Sequence, residues 1–190
     1  MRLALLAVIV TVLAACGSGT AFTGTAFSPA RPAPDFTLVD QAGRNWSLAS
    51  QRGTSVALYF GYTHCLDECP LTVAKLARAI AALPSGDRAE VVFVTVDPQR
   101  DTPRVLAAFV RRFRGATVVG LTGTHRALAR VYAAYHVWEQ RIPGRARRGG
   151  YAVAHASPVF LIDDRGMLRV LHDDGDARSA FVHDLRELNG

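Results

Sequence analysis

Cysteine is scarce in this chain: three in 190 residues, at positions 16, 65 and 69. Three cannot build a disulfide framework. A chain of this length buries about 70% of its unfolded surface, so it needs neither disulfide nor metal merely to fold. Chemistry at the cysteines is therefore read as functional rather than structural. Lysine is scarcer still, with Lys75 alone among 22 basic residues. We read that as gene base composition, not function. No internal repeat is visible, and the values of 49% hydrophobic and 20% charged exclude wholesale disorder, collagen and coiled coil. The length suits one domain.

Long apolar runs are also missing. The longest, residues 3–15, is broken only by Thr11 and follows Arg2. Thirteen residues span about 20 Å as a helix, too short for a hydrocarbon core of about 30 Å. Residues 1–15 read as a secretion signal. Its end, Leu13-Ala14-Ala15-Cys16, resembles the lipobox of bacterial lipoproteins. That resemblance implies a diacylglyceryl group on Cys16, which becomes the new N-terminus. The domain would then sit in the cell envelope, on the extracytoplasmic side, and two acyl chains suffice for stable anchoring. Residues 16–33, rich in Gly, Ser, Thr and Pro, are expected to form a flexible tether.

The net charge is +6. Arg141, Arg145, Arg147 and Arg148 cluster in a Gly-containing stretch, read as a solvated loop, with anionic lipid or an acidic protein surface as the alternative. Export, and the lack of aromatics among the arginines, argue against nucleic acid.

Residues 34–190 alternate strand and helix signals. Phe36–Val39 and Trp46–Leu48 suggest an N-terminal hairpin; Ser55–Tyr62 and Glu90–Val96 are continuous apolar runs typical of buried strands. Helical patterns follow at Leu71–Leu83, from Thr102-Pro103 to about Phe113, from Thr124 to Tyr135, and from Asp176 to Leu188. Short strands are expected at Thr117–Leu121, Pro158–Asp163 and Met167–His172. This order implies an α/β, thioredoxin-like fold: a central mixed sheet flanked by helices, with an N-terminal β-hairpin extension.

Cys65 and Cys69 lie four apart at a strand-to-helix junction, in Gly61-Tyr62-Thr63-His64-Cys65-Leu66-Asp67-Glu68-Cys69-Pro70. Proline fits best at the first helical position, which would make Cys69 the N-cap and residues 65–68 loop. The pair is then free to converge on a metal or on each other. A helix N-terminus favours thiolate, while Asp67 and Glu68 disfavour a second anion and attract a cation. Six histidines are available, among them His64 and His155, with no paired spacing. A soft Cys₂His set suits Cu(I), and imidazole also suits Cu(II). The residues alone leave a metal site and a thiol redox pair both open. His125, His172 and His183 are read as solvated, and His136 as ending a helix.

Four segments in order, YFGYTHCLDECP, VDPQRDTP (96–103), LTGTHRALARVYAAYHV (121–137) and YAVAHASPVFLIDDRG (151–166), resemble the motifs of the SCO/SenC family of copper chaperones for cytochrome c oxidase assembly. The resemblance implies copper held by Cys65, Cys69 and His155. It implies delivery to the dinuclear centre of oxidase subunit II, or reduction of that subunit's cysteines. It places Asp97 near the copper, in a supporting or docking role. The chain departs from the family at Leu66, where proline is common, at Glu68, usually apolar, and at Ala154, usually Asp. Pro158 stands where thioredoxin-like oxidoreductases carry a cis proline. A copper chaperone, a thiol–disulfide reductase working through Cys65 and Cys69, and an envelope copper sensor are the three readings. The first is preferred, as a metallochaperone rather than an enzyme, and as a monomer.

Overall fold

The computed structural model describes residues 21–144 and 150–189. Eight strands form one mixed sheet: β1 (Thr25–Pro32), β2 (Thr37–Asp40), β3 (Asn45–Ser47), β4 (Ser55–Gly61), β5 (Ala89–Thr95), β6 (Thr117–Thr122), β9 (Val159–Ile162) and β10 (Met167–His172). Their spatial order is β1-β10-β9-β4-β5-β6-β2-β3. Strands β4, β5 and β6 are parallel, and every other neighbour is antiparallel. The parallel strands are buried on both faces, which is why they read as unbroken apolar runs rather than alternating ones. The expected hairpin is β2–β3.

Four helices cover the sheet: α1 (Glu68–Ile80), α2 (Pro103–Val110), α3 (His125–Ala134) and α4 (Arg178–Asn189). Tyr59, Phe93 and Gly120 are register partners and so share one face. There Phe93 stacks on Phe109 of α2, and a side chain at Gly120 would meet Leu106 and Val110 of the same helix. On the opposite face Phe60 and Phe160 meet Tyr132 and Tyr135 beside α3. Thr102 and Thr124 cap α2 and α3 through their side chains, accepting from the Val105 and Ala127 N–H groups. His136, at φ 55°, terminates α3 as expected.

Three expectations need correction. The tether was placed at 16–33, yet Thr25–Pro32 is an edge strand on β10. Its backbone covers the open side of β10, a role that needs no apolar alternation and tolerates proline. Helix α1 starts two residues early, at Glu68, so that Asp67 is the N-cap and Pro70 the third helical residue. Proline is admissible anywhere in the first turn, because those N–H groups have no intrahelical acceptor. His172 is buried rather than solvated, with its ring nitrogens facing Asp176 at 2.7 Å and Asp184 at 2.9 Å. The Ser157–Pro158 peptide, whose state the sequence left open, is trans; among the described residues the one cis peptide is Ser28–Pro29.

A second, two-stranded sheet pairs β7 (Glu139–Pro143) with β8 (Tyr151–His155). It carries Arg141, whereas Arg145, Arg147 and Arg148 lie outside the described residues. Among the described residues no helix is long and apolar enough to cross a membrane. The leader and Cys16 also lie outside them.

Candidate metal centre

The site forms where the carboxyl ends of β4 and β5 meet the segment between β8 and β9. Chains leaving a parallel sheet diverge there and open a crevice. After β4 the backbone turns at Tyr62, whose carbonyl accepts from the Cys65 N–H at 3.2 Å. The turn is pinned from below by buried Asp101, which accepts from the Thr63 N–H at 3.0 Å, the Thr63 hydroxyl at 2.6 Å and the Thr95 hydroxyl at 2.6 Å. Burial, the largest influence, pushes the Asp101 carboxyl above its usual range; these hydrogen bonds pull against it. His64 points toward Thr63 and Asp101 rather than toward the cysteines.

Cys69, in the first turn of α1, is 1% exposed. Its sulfur lies over Gly61, where a Cβ would stand 3.1 Å from Sγ and 2.8 Å from the Phe93 ring. The absent side chain at Gly61 therefore makes room for the thiol. Beneath it the Tyr59 hydroxyl is buried without a hydrogen-bond partner. Burial drives that phenol far above its ordinary range.

Cys65 is half-buried and accepts from the Cys69 N–H at 3.3 Å, so its sulfur caps α1 where Asp67 offers no side-chain cap. The two thiols are not bonded to each other. They divide one proton. A hydrogen bond from the Cys69 thiol, followed by the N–H groups of Cys69, Asp67 and Glu68, lowers Cys65 to about 6 against the opposing effect of burial. The same thiol pairing, then burial, pushes Cys69 well up. The thiolate thus resides on the outer sulfur.

His155, the last residue of β8, presents Nε2 to the Cys69 sulfur at 3.9 Å across 86 residues of sequence. With a metal–sulfur bond of about 2.3 Å and a metal–nitrogen bond of about 2.0 Å, two ligands on one ion stand roughly 3.5–3.7 Å apart at tetrahedral to trigonal angles, slightly closer than the pair observed. Its Nδ1 faces the Ala156 carbonyl at 3.0 Å. A carbonyl only accepts, so the proton sits on Nδ1 and the Nε2 lone pair is left facing the sulfur. The ring is held edge-on to Tyr62 at 5.9 Å. At Ala154, where Asp is usual, no acidic side chain is present to orient this imidazole; the Ala156 carbonyl does that work instead. Among the described residues no three such side chains are already closed around a metal-sized point.

Asp97 is 1% exposed. Its carboxylate accepts from the Tyr151 hydroxyl at 2.7 Å and from Arg100. Arg100 in turn donates to the Tyr151 carbonyl at 3.0 Å and lies 3.8 Å over the Tyr151 ring. Asp97 is therefore the clasp that holds the start of β8, and through it His155, against the end of β5. Direct contact with a partner is closed to a side chain so buried. Sequence reasoning missed Gly61, Tyr59, Arg100, Asp101 and Tyr151. Only the apolar-run context of Tyr59 and Gly61 marked them as buried, and nothing in the sequence paired Asp97 with Tyr151.

The sequence pattern described as SCO1/SenC matches residues 25–190. The mitochondrial SCO2 homolog of Bos taurus is 36% identical over 136 residues, covering 70% of this chain and 50% of that protein, so the match spans half the length of that relative. The solution structure of apo Sco1 from Thermus thermophilus aligns with TM-score 0.78 at 32% identity, over 90% of this chain and 99% of that one. Bradyrhizobium japonicum ScoI with copper bound aligns with TM-score 0.72 at 27% identity, over 83% and 99%. The fold, the cysteine turn and these matches agree: the chain belongs to the SCO1/SenC family.

Proposed function

We propose that the protein is a copper chaperone, anchored through acylated Cys16 on the extracytoplasmic side of the membrane. It holds one copper by Cys65, Cys69 and His155 and passes it to the dinuclear copper centre of cytochrome c oxidase subunit II or to another cuproprotein. The observation that carries the reading is the 3.9 Å approach of His155 Nε2 to the Cys69 sulfur, with the ring tautomer set by the Ala156 carbonyl. A relative of the same fold has been solved with copper bound, which supports copper as the cargo.

Two thiolates and one imidazole suit Cu(I), and the imidazole also serves Cu(II). Three ligands leave a position open, so an incoming thiolate of the client can bind before a resident ligand leaves. Cys65, the more accessible of the two sulfurs, is placed to be exchanged first. Cys69 and His155, both held in the crevice, release last.

The test is competition for Cu(I) against a chromophoric chelator, with Cu(II) absorption in parallel, on reduced protein. One copper per chain is expected, with binding sharply weakened in His155→Ala and in either Cys→Ser variant. Weak binding indifferent to His155 would sink the site.

The unequal thiols favour a second reading, a thiol–disulfide reductase. The Cys65 thiolate would attack a client disulfide to form a mixed disulfide; Cys69 would then displace the client dithiol, leaving Cys65 and Cys69 oxidised. That activity would survive His155→Ala, whereas copper retention would not.

A further inference from the structure

The chain enters the domain at the same end of the sheet as the cysteines and histidine. Thr25 opens β1 opposite Leu171, and the neighbouring His172 is opposite Val159, which is opposite Tyr59, two residues before the end of β4. Thr25 is thus level with the site, only three strands across, or about 15 Å. The entering segment is tied down: both carboxylate oxygens of buried Asp184 accept from it, at 2.8 Å from the Thr23 N–H and 2.9 Å from the Gly24 N–H. Four residues, 17–20, separate Cys16 from Ala21, and the five backbone steps reach about 17 Å at full stretch.

The surface is divided in the same sense. Among the described residues the exposed large hydrophobics are Leu66 at 59%, Leu71 at 66% and Trp138 at 57%. All three are at the site end. Leu66 lies between the cysteines, Leu71 in the first turns of α1, and Trp138 beside His155, its carbonyl accepting from the Ala156 N–H at 3.1 Å. The opposite end, about 20 Å along β4, shows a groove lined by charged Asp87, Arg88, Asp164 and Arg165.

We infer that the site end of the domain lies against the bilayer, with Leu66, Leu71 and Trp138 seated in its headgroup region. The inference rests on the lipid-anchor reading of Cys16. A short leash at that end brings these side chains to the interface, and exposed tryptophan and leucine side chains are the chemistry that settles there. Resting on the charged end would use the whole leash and bury charge. Exposed Asp67 and Glu68 beside Leu66 make the surface zwitterionic rather than anionic in preference.

The full acylated chain is placed in nanodiscs of phosphatidylcholine, with and without bromines on the upper acyl chain. Trp138 and Trp46 are its two tryptophans, and Trp46 is buried. Brominated discs are expected to quench part of the emission; Trp138→Phe, which leaves Trp46, is expected to abolish that part, and Leu71→Glu to reduce it. If mass spectrometry finds Cys16 acylated and emission is unquenched, the inference falls while the anchor stands. If, in addition, the soluble dicopper domain of an oxidase subunit shields Trp138 from acrylamide, the apolar rim belongs to a protein client. If Cys16 carries no lipid, the anchor and this orientation fall together.

Discussion

Gly61 is the residue on which the thiol geometry turns. A methyl group there would press on the Cys69 sulfur and the Phe93 ring. Neither can retreat far, because both are buried in the core. We expect Gly61→Ala to cost about 1–3 kcal/mol and to weaken copper retention, checked by urea unfolding and chelator competition on one preparation. Glu90 is a residue-scale liability of a different kind. It sits at the buried start of β5, and burial alone raises it from 4.5 to about 7. A carboxyl raised on folding binds its proton more tightly in the folded state. Stability is therefore fullest below pH 4.5 and declines as pH climbs through about 7. Glu90→Gln should leave stability at pH 4.5 nearly unchanged and raise it at pH 8 by roughly 1–3 kcal/mol; equilibrium unfolding at the two pH values decides.

Elements explain what was legible in advance. Strands β4 and β5 were legible because burial on both faces writes itself as SVALYFG and EVVFVT, and α2 and α3 because Thr102 and Thr124 announce their starts. The cysteine pair stood out by its place at a strand-to-helix junction, whereas His155 came from the motif resemblance, since spacing alone could not choose between His64 and His155. Strand β1 was not legible: an edge strand on β10 is held by backbone hydrogen bonds, which leave no apolar pattern in Thr25–Pro32. Hairpin β7–β8 was hidden for a similar reason. Its hold on the body is polar, through Tyr151, Arg100 and Asp97. Tyr151→Phe strands a buried oxygen of Asp97 and should cost about 1–3 kcal/mol. Amides of residues 139–143 and 151–155 should exchange faster by hydrogen-exchange mass spectrometry, while β4 and β5 keep their protection. Copper affinity should fall roughly tenfold or more, as is usual when a ligand loses its support. Unchanged exchange in the hairpin would remove Asp97 from its positioning role.

For the whole molecule, a ligand that binds only the folded state raises stability by mass action. At 100 times its dissociation constant the gain is about 2.7 kcal/mol. For a domain of this size that is roughly 5–11 °C in Tm. Thermal unfolding of reduced protein with excess Cu(I) should show a rise of this order, reversed by a strong chelator and absent in His155→Ala.

The β7–β8 sheet shares no ladder with the eight-stranded sheet, and yet it carries His155, one of the three proposed ligands, while the proposed ligands Cys65 and Cys69 follow β4. Loading the site therefore joins a compliant arm to a rigid body. Calorimetry should record that as an entropy penalty offset by bond enthalpy, so that grip on the cargo loosens on warming before the fold itself gives way.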